Sequence, residues 1–280
     1  MFLTVILVIA SVVESLGIYL LPCLLVGFFK GFWWLFLILC WLPILLFPFI
    51  YILNFGLFLG FAFILGLFIN TKKEVKKPSA FARFLVSQVV KQINFLARIK
   101  LKTSGFNLMQ HERPYTIVYN HTSRFDPMLI MDKFSHDKIV CVTKPENKKI
   151  PIAGPFIHKA GYISVNRENT AEGLKAIEKA VEYINDYGCS ICIAPEGRRS
   201  LNGRLLPFRA GAFNVALMGK TDIVVMGFKN TNRIHANFPK KKTVVNMDVL
   251  DVLPYDKIKD MTTREISDYI HRLYENYLGY

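Results

Sequence analysis

His121 and Asp126 stand five residues apart in "VYNHTSRFDP" (Val118 to Pro127), between an apolar run and a helix start. An imidazole is the ordinary side chain for taking up a proton near neutrality, and a carboxylate on its second ring nitrogen fixes the tautomer and stabilises the imidazolium. On one regular helix, five positions rotate two side chains apart by roughly 140°. The pair can meet only if the backbone turns between them. "YTIVY" (Tyr115 to Tyr119) reads as a strand, and Asp126 with Pro127 reads as an N-cap and first helical position. No serine, cysteine or lysine nucleophile occupies a recognisable elbow nearby. A His-Asp pair without its own nucleophile suits deprotonation of a substrate hydroxyl.

Two further stretches put cations at strand ends. "GYISVNR" (Gly161 to Arg167) ends on Arg167, and "APEGRRS" (Ala194 to Ser200) carries Glu196, Gly197, Arg198 and Arg199. Ligands of α/β folds bind at strand C-termini, and the guanidinium fork fits phosphate oxygens. With His121, these residues describe a base beside an anion pocket. A metal-dependent hydrolase built on His121, Asp126, His136 and Asp137 is a rival reading, but it needs further ligands in register. A catalytically idle membrane scaffold is another. "CSIC" (Cys189 to Cys192) has the spacing of a redox or zinc half-site without a second pair, so Cys141, Cys189 and Cys192 are expected as buried thiols in a reducing compartment.

The elements that must hold these residues alternate. Strands are expected at 116–119, 139–143, 162–165, 190–194, 223–228 and 244–249, and helices near 127–135, 170–187 and 209–219. Thr262 and Glu265 have capping-box spacing ahead of a last helix. The pattern predicts an α/β domain over 101–280, with a mixed, largely parallel sheet flanked by helices.

Ahead of this domain the charge distribution changes. Residues 1–71 contain only Glu14 and Lys30, so the formal net charge of +14 belongs to residues 72–280. Gly31 to Thr71 is uncharged and, as one helix, about 60 Å long, twice the roughly 30 Å hydrocarbon core. Two passes are expected there, turning at Pro43, Pro48 or Asn54–Gly56, with residues 1–29 long enough for another. The N-terminal region, 1–71, is thus expected as two or three transmembrane helices. No basic segment precedes the first apolar run, which argues against a cleavable signal peptide. Lys72, Lys73, Lys76 and Lys77 place the later domain on the cytoplasmic side by the positive-inside rule. Residues 72–100 mix Phe81, Leu85, Val89 and Phe95 with Arg83, Lys91, Arg98 and Lys100, as a basic amphipathic interfacial segment would. With no zinc finger, Walker loop, RRM-like signature or repeat in the chain, anionic membrane lipid rather than nucleic acid is the expected partner of the basic surface.

The order "NHTSRFD", "GYISVNR", "APEGRRS", "PFRAGAF" (the last Pro207 to Phe213) resembles the glycerolipid acyltransferase family, in particular the 1-acylglycerol-3-phosphate acyltransferases, over roughly residues 100 to 230. The resemblance implies His121 as catalytic base and Asp126 as its orienting partner. It also implies acceptor binding by Glu196, Gly197 and Arg199, with Arg167 closing the second block and Lys144 preceding it. The implied reaction transfers an acyl group from acyl-CoA or acyl-carrier protein to the free hydroxyl of a lysophospholipid, 1-acyl-glycerol 3-phosphate, with no metal or bound cofactor. Alternative acceptors are glycerol 3-phosphate, another lysophospholipid or an aminolipid. Three departures bear on the acceptor: Ala194 replaces the family's usual Phe, Arg198 replaces its usual Thr, and "DIVVMGF" (Asp222 to Phe228) lacks the proline of the fourth block.

Overall fold

A computed structural model describes residues 2–26, 33–109, 113–166 and 169–280. The chain divides into two compact units, Met1–Ile69 and Asn70–Tyr280.

The first unit consists of α1 (Phe2–Val26) and α2 (Trp33–Leu67). The expected turn at Pro43, Pro48 or Asn54–Gly56 is absent, and α2 continues through all three places for about 52 Å. A proline lacks one amide and strains one turn, but ending a helix in an apolar run would strip several backbone groups of partners at once. Two helices therefore occupy the described residues of the region where two or three passes were expected. Leu3, Leu7 and Tyr51 form the contact between them, with Phe47, Phe55 and Phe58 packed around. Asn54 Nδ2 donates to Ser11 Oγ (3.3 Å) and to Glu14 Oε2 (3.1 Å), giving the region's one acid a polar neighbour. By length and composition, Ile44–Leu67 is a stretch able to cross a membrane.

The second unit is built on a seven-stranded sheet of β1 (Ile99–Ser104), β2 (Tyr115–Tyr119), β3 (Ile139–Thr143), β4 (Ile163–Ser164), β5 (Ser190–Ile193), β6 (Asp222–Lys229) and β7 (Thr243–Leu253), in the order β1-β7-β6-β2-β5-β3-β4. Every neighbouring pair is parallel except β6 with β7. All five residues of β2 are buried, as both faces of a central parallel strand require.

The longer helices of this unit are α3 (Ala80–Leu96), α4 (Phe125–Lys133), α5 (Ala153–Lys159), α6 (Thr170–Tyr187), α7 (Asn214–Gly219) and, last, Thr263–Leu278. Asn169 caps α6 at its start, and Gly188, at φ +62°, ends it. The final helix opens on a complete Thr262/Glu265 capping box and packs Ile266, Ile270 and Tyr274 against Val118, Ile223 and Val225 of the sheet.

The segment ahead of the sheet differs at its end from the sequence reading. Ile99 and Lys100 already pair with Thr243 and Val244, so the expected interfacial segment ends inside β1, whose alternating lysines hid its strand character. Ser79 caps α3, which buries Ala82, Val86 and Val90 and leaves Phe81, Phe84, Phe95 and Leu96 exposed.

Candidate active site

Because β2, β3, β4, β5 and β6 all run parallel, their C-terminal ends share one edge of the sheet. The residues following β2, β5 and β6 meet there. β2 delivers Asn120 and His121, β5 delivers Pro195 and Glu196, and β6 delivers Asn230 and Thr231.

The turn demanded by the five-residue spacing is present. His121 Nδ1 lies 2.9 Å from Asp126 Oδ2, the same oxygen accepts the backbone N–H groups of Thr122 (2.8 Å) and Ser123 (2.7 Å), and Asp126 is fully buried. A carboxylate only accepts, so Nδ1 carries the proton and Nε2 keeps the lone pair of a base. The His121 side chain retains 14% exposure. Asp126 is not the helix N-cap. The helix starts at Phe125 behind Arg124, and Asp126 sits in the first turn with its side chain folded back over residues 121–123. Both roles draw on the same chemistry, a carboxylate accepting free amides near a helix start.

The backbone of His121 is held from both sides. Its N–H donates to Glu196 Oε1 (2.6 Å), and its carbonyl accepts from Ser200 N (2.7 Å). The second oxygen of Glu196, Oε2, accepts from Leu206 N (3.0 Å). Glu196 is 4% exposed, and desolvation raises its carboxyl pKa to about 7 despite the opposing pull of the two amides. Gly197 lies at φ +72°, a left-handed conformation that glycine adopts without a Cβ penalty, at the end of the Ala194–Gly197 turn.

Neighbours of His121 fix the loop to β6. The Asn120 side chain donates to Phe228 O (3.1 Å) and accepts from Phe228 N (2.7 Å), and the Thr122 and Thr231 hydroxyls are 2.8 Å apart. Tyr274 Oη lies 2.9 Å from Val118 O and 3.0 Å from Met226 O. The Tyr119 ring meets the imidazole edge-on at 5.7 Å.

Two of the cationic candidates, Arg199 and Lys144, lie along the same edge. Arg199 follows β5, is half-buried, and makes no hydrogen bond or ion pair among the described residues. Lys144 follows β3 and is exposed. Arg167 lies outside the described residues. Since β3 stands between β5 and β4, positions after β5 and β4 are two strand spacings apart, roughly 10 Å. Among the described residues no group of three or more His, Cys, Asp or Glu side chains is arranged to hold a metal, and exposed His136 and Asp137 do not join the His121 pair.

Residues 100–229 match the Acyltransferase family. The chain carries His121, Asp126, Lys144, Arg167, Glu196, Gly197 and Arg199 within that segment. Over 181 residues it is 30% identical to a 1-acyl-sn-glycerol-3-phosphate acyltransferase of Limnanthes douglasii, covering 64% of this chain and 63% of the relative. Over 172 residues it is 24% identical to 1-acyl-sn-glycerol-3-phosphate acyltransferase alpha of Mus musculus, covering 61% and 60%. The chain thus spans about six tenths of the length of these relatives. The crystal structure of the 1-acyl-sn-glycerophosphate (LPA) acyltransferase PlsC from Thermotoga maritima matches with a TM-score of 0.59 at 17% identity, over 78% of this chain and 86% of that one, so the two share a fold.

Sequence reasoning missed Asn120, Ser200 and Leu206 as supports of the acyltransferase site. Asn120 carried a usable signal, an amide at the end of an all-apolar strand beside the histidine. The other two act through backbone amides, which any residue type supplies.

Proposed function

We propose that the protein transfers an acyl group from a thioester, acyl-CoA or acyl-carrier protein, to the free hydroxyl of 1-acyl-glycerol 3-phosphate, giving phosphatidic acid. The observation that carries this reading is the 2.9 Å His121–Asp126 pair, set by a fully pinned loop at the ligand-binding edge of an acyltransferase domain. His121 Nε2 takes the hydroxyl proton as the oxygen attacks the thioester carbonyl. The tetrahedral intermediate collapses by breaking the C–S bond, and the imidazolium returns its proton to the departing thiolate. Asp126 holds the tautomer and offsets the positive charge of the ring.

Arg199 and Arg167 serve the acceptor's phosphate in this reading, with Lys144 nearby on the same edge. Glu196 and Gly197 shape the loop that carries Arg199, and Glu196 serves the reaction in this reading by holding the His121 and Leu206 backbone amides. No metal or bound cofactor enters any step.

The apolar N-terminal unit supports reading the protein as an integral membrane enzyme, and Lys72, Lys73, Lys76 and Lys77 support, by the positive-inside rule, a catalytic domain on the cytoplasmic side. Purified protein in detergent, given labelled acyl-CoA and lysophosphatidic acid, tests the activity. Phosphatidic acid formation insensitive to EDTA is expected. No transfer to lysophosphatidic acid, but transfer to glycerol 3-phosphate or an aminolipid, would reassign the acceptor.

A further inference from the structure

We propose that a second cavity, none of whose lining residues belongs to the site above, binds a phosphate-bearing anion. It measures about 390 Å³ and is walled by residues 71–75, by Gly161–Ser164 at β4, and by one face of α6. That volume is within the range of small-ligand pockets.

The lining is strongly basic. Among the described lining residues, Lys72, Lys73, Lys148, Lys175 and Lys179, with His158, stand against two acids, Glu74 and Glu172. Lys179 is neutralised by Glu74 (3.1 Å) and Glu182 (2.9 Å). Lys72, Lys73, Lys148 and Lys175 form no ion pair among the described residues. Lys175 and Lys179 sit four positions apart and so project from one side of α6.

This concentration of charge is built in. Residues 71–75 are tied onto the domain: Tyr183 Oη donates to Val75 O (2.6 Å), and His158 Nε2 donates to Lys73 O (2.9 Å). Just beyond, Gly161 at φ +86° lets Pro78 approach so closely that a Cβ would lie 2.8 Å from the proline ring. The backbone that carries Lys72 and Lys73 is thereby held beside α6 and β4. Ammonium groups held around a concavity concentrate an anion's counter-charge there. A phosphate group would accept from several of these ammonium groups together.

The chemistry is a phosphate group, from either an anionic phospholipid headgroup or a soluble phosphate ester. The inference is independent of the catalytic reading, since its readout does not involve turnover. The full chain is tested by mass-spectrometric acylation footprinting of Lys73, Lys148 and Lys175. In detergent, inorganic phosphate is compared with sodium chloride at equal ionic strength; in nanodiscs, phosphatidylcholine alone is compared with phosphatidylcholine plus phosphatidylglycerol. Several-fold slower acylation of the three lysines is expected in at least one arm. Protection by phosphate alone identifies a soluble source, and protection by phosphatidylglycerol a lipid one. In the Lys148→Gln/Lys175→Gln variant the concentration protecting Lys73 should rise roughly tenfold or more, at about 1 kcal/mol per lysine removed. No protection in either arm, or protection of Lys73 unchanged in that variant, would overturn the proposal. If the variant fails to fold, Lys175→Gln alone, at an exposed position of α6, provides the same comparison.

Discussion

The backbone N–H of His121 and Oε1 of Glu196 are 2.6 Å apart, joining the end of β2 to the loop after β5 through a buried carboxylate. Glu196 therefore acts on the proposed chemistry by positioning the base. Glutamine keeps one acceptor but turns an NH₂ group toward the other backbone amide, leaving two donors facing each other. Glu196→Gln should lower kcat roughly tenfold or more, the scale of a misplaced base, while the KM for lysophosphatidic acid changes little. A raised acceptor KM at unchanged kcat would return Glu196 to acceptor binding.

The same carboxyl gives a pH dependence. Its folded pKa of about 7 exceeds the 4.5 of an unperturbed glutamate, so between those values the folded state holds a proton that the unfolded chain releases. This group's contribution to stability is largest below about pH 4.5 and declines as pH rises toward 7. Urea unfolding across that window should show the decline in the wild type and a shallower one in Glu196→Gln. Activity should move the opposite way, rising through pH 7 as the carboxylate forms and holds both amides.

Oδ2 of Asp126 alone serves Nδ1 and the Thr122 and Ser123 amides, so in Asp126→Asn either the amide oxygen takes that place without the charge that stabilises the imidazolium, or an NH₂ group takes it and faces all three donors. In the second case the imidazole moves its proton to Nε2, the wrong tautomer for a base. A fall in kcat of roughly 10²- to 10⁴-fold with little change in either KM is expected. Steady-state kinetics on both substrates checks it.

Much of this site was legible because its parts are local. Strand β2, the turn and α4 follow from a five-residue apolar run and an Asp-Pro start, and α6 was delimited residue for residue by its period and Gly188. What the sequence concealed depends on partners distant in the chain. The amides that Glu196 holds belong to residues 121 and 206, 75 and 10 positions away, which no local pattern announces. β1 is masked by lysines on a strand that pairs only with β7. The continuity of α2 through Pro43 and Pro48 reflects its apolar length rather than local propensity, which favoured a break.

Arg199→Lys replaces a bidentate fork with a point charge. The expected signature is a raised KM for lysophosphatidic acid with a smaller change for acyl-CoA, and the same for Arg167→Lys. Equal, small shifts for both substrates would remove the phosphate assignment.

The orientation reading predicts that a cysteine introduced near Tyr280 resists a membrane-impermeant thiol reagent in intact cells and reacts after permeabilisation. Labelling without permeabilisation would place the domain on the other side.

The central claim is that His121 takes the proton from the acceptor hydroxyl. Its most direct measurement is the turnover of His121→Ala with labelled acyl-CoA and lysophosphatidic acid, beside its unfolding midpoint and its equilibrium affinity for lysophosphatidic acid. The account predicts kcat down by at least roughly 10²-fold, as loss of a general base requires, with fold and acceptor affinity retained. Turnover near the wild-type value in a folded variant would contradict it.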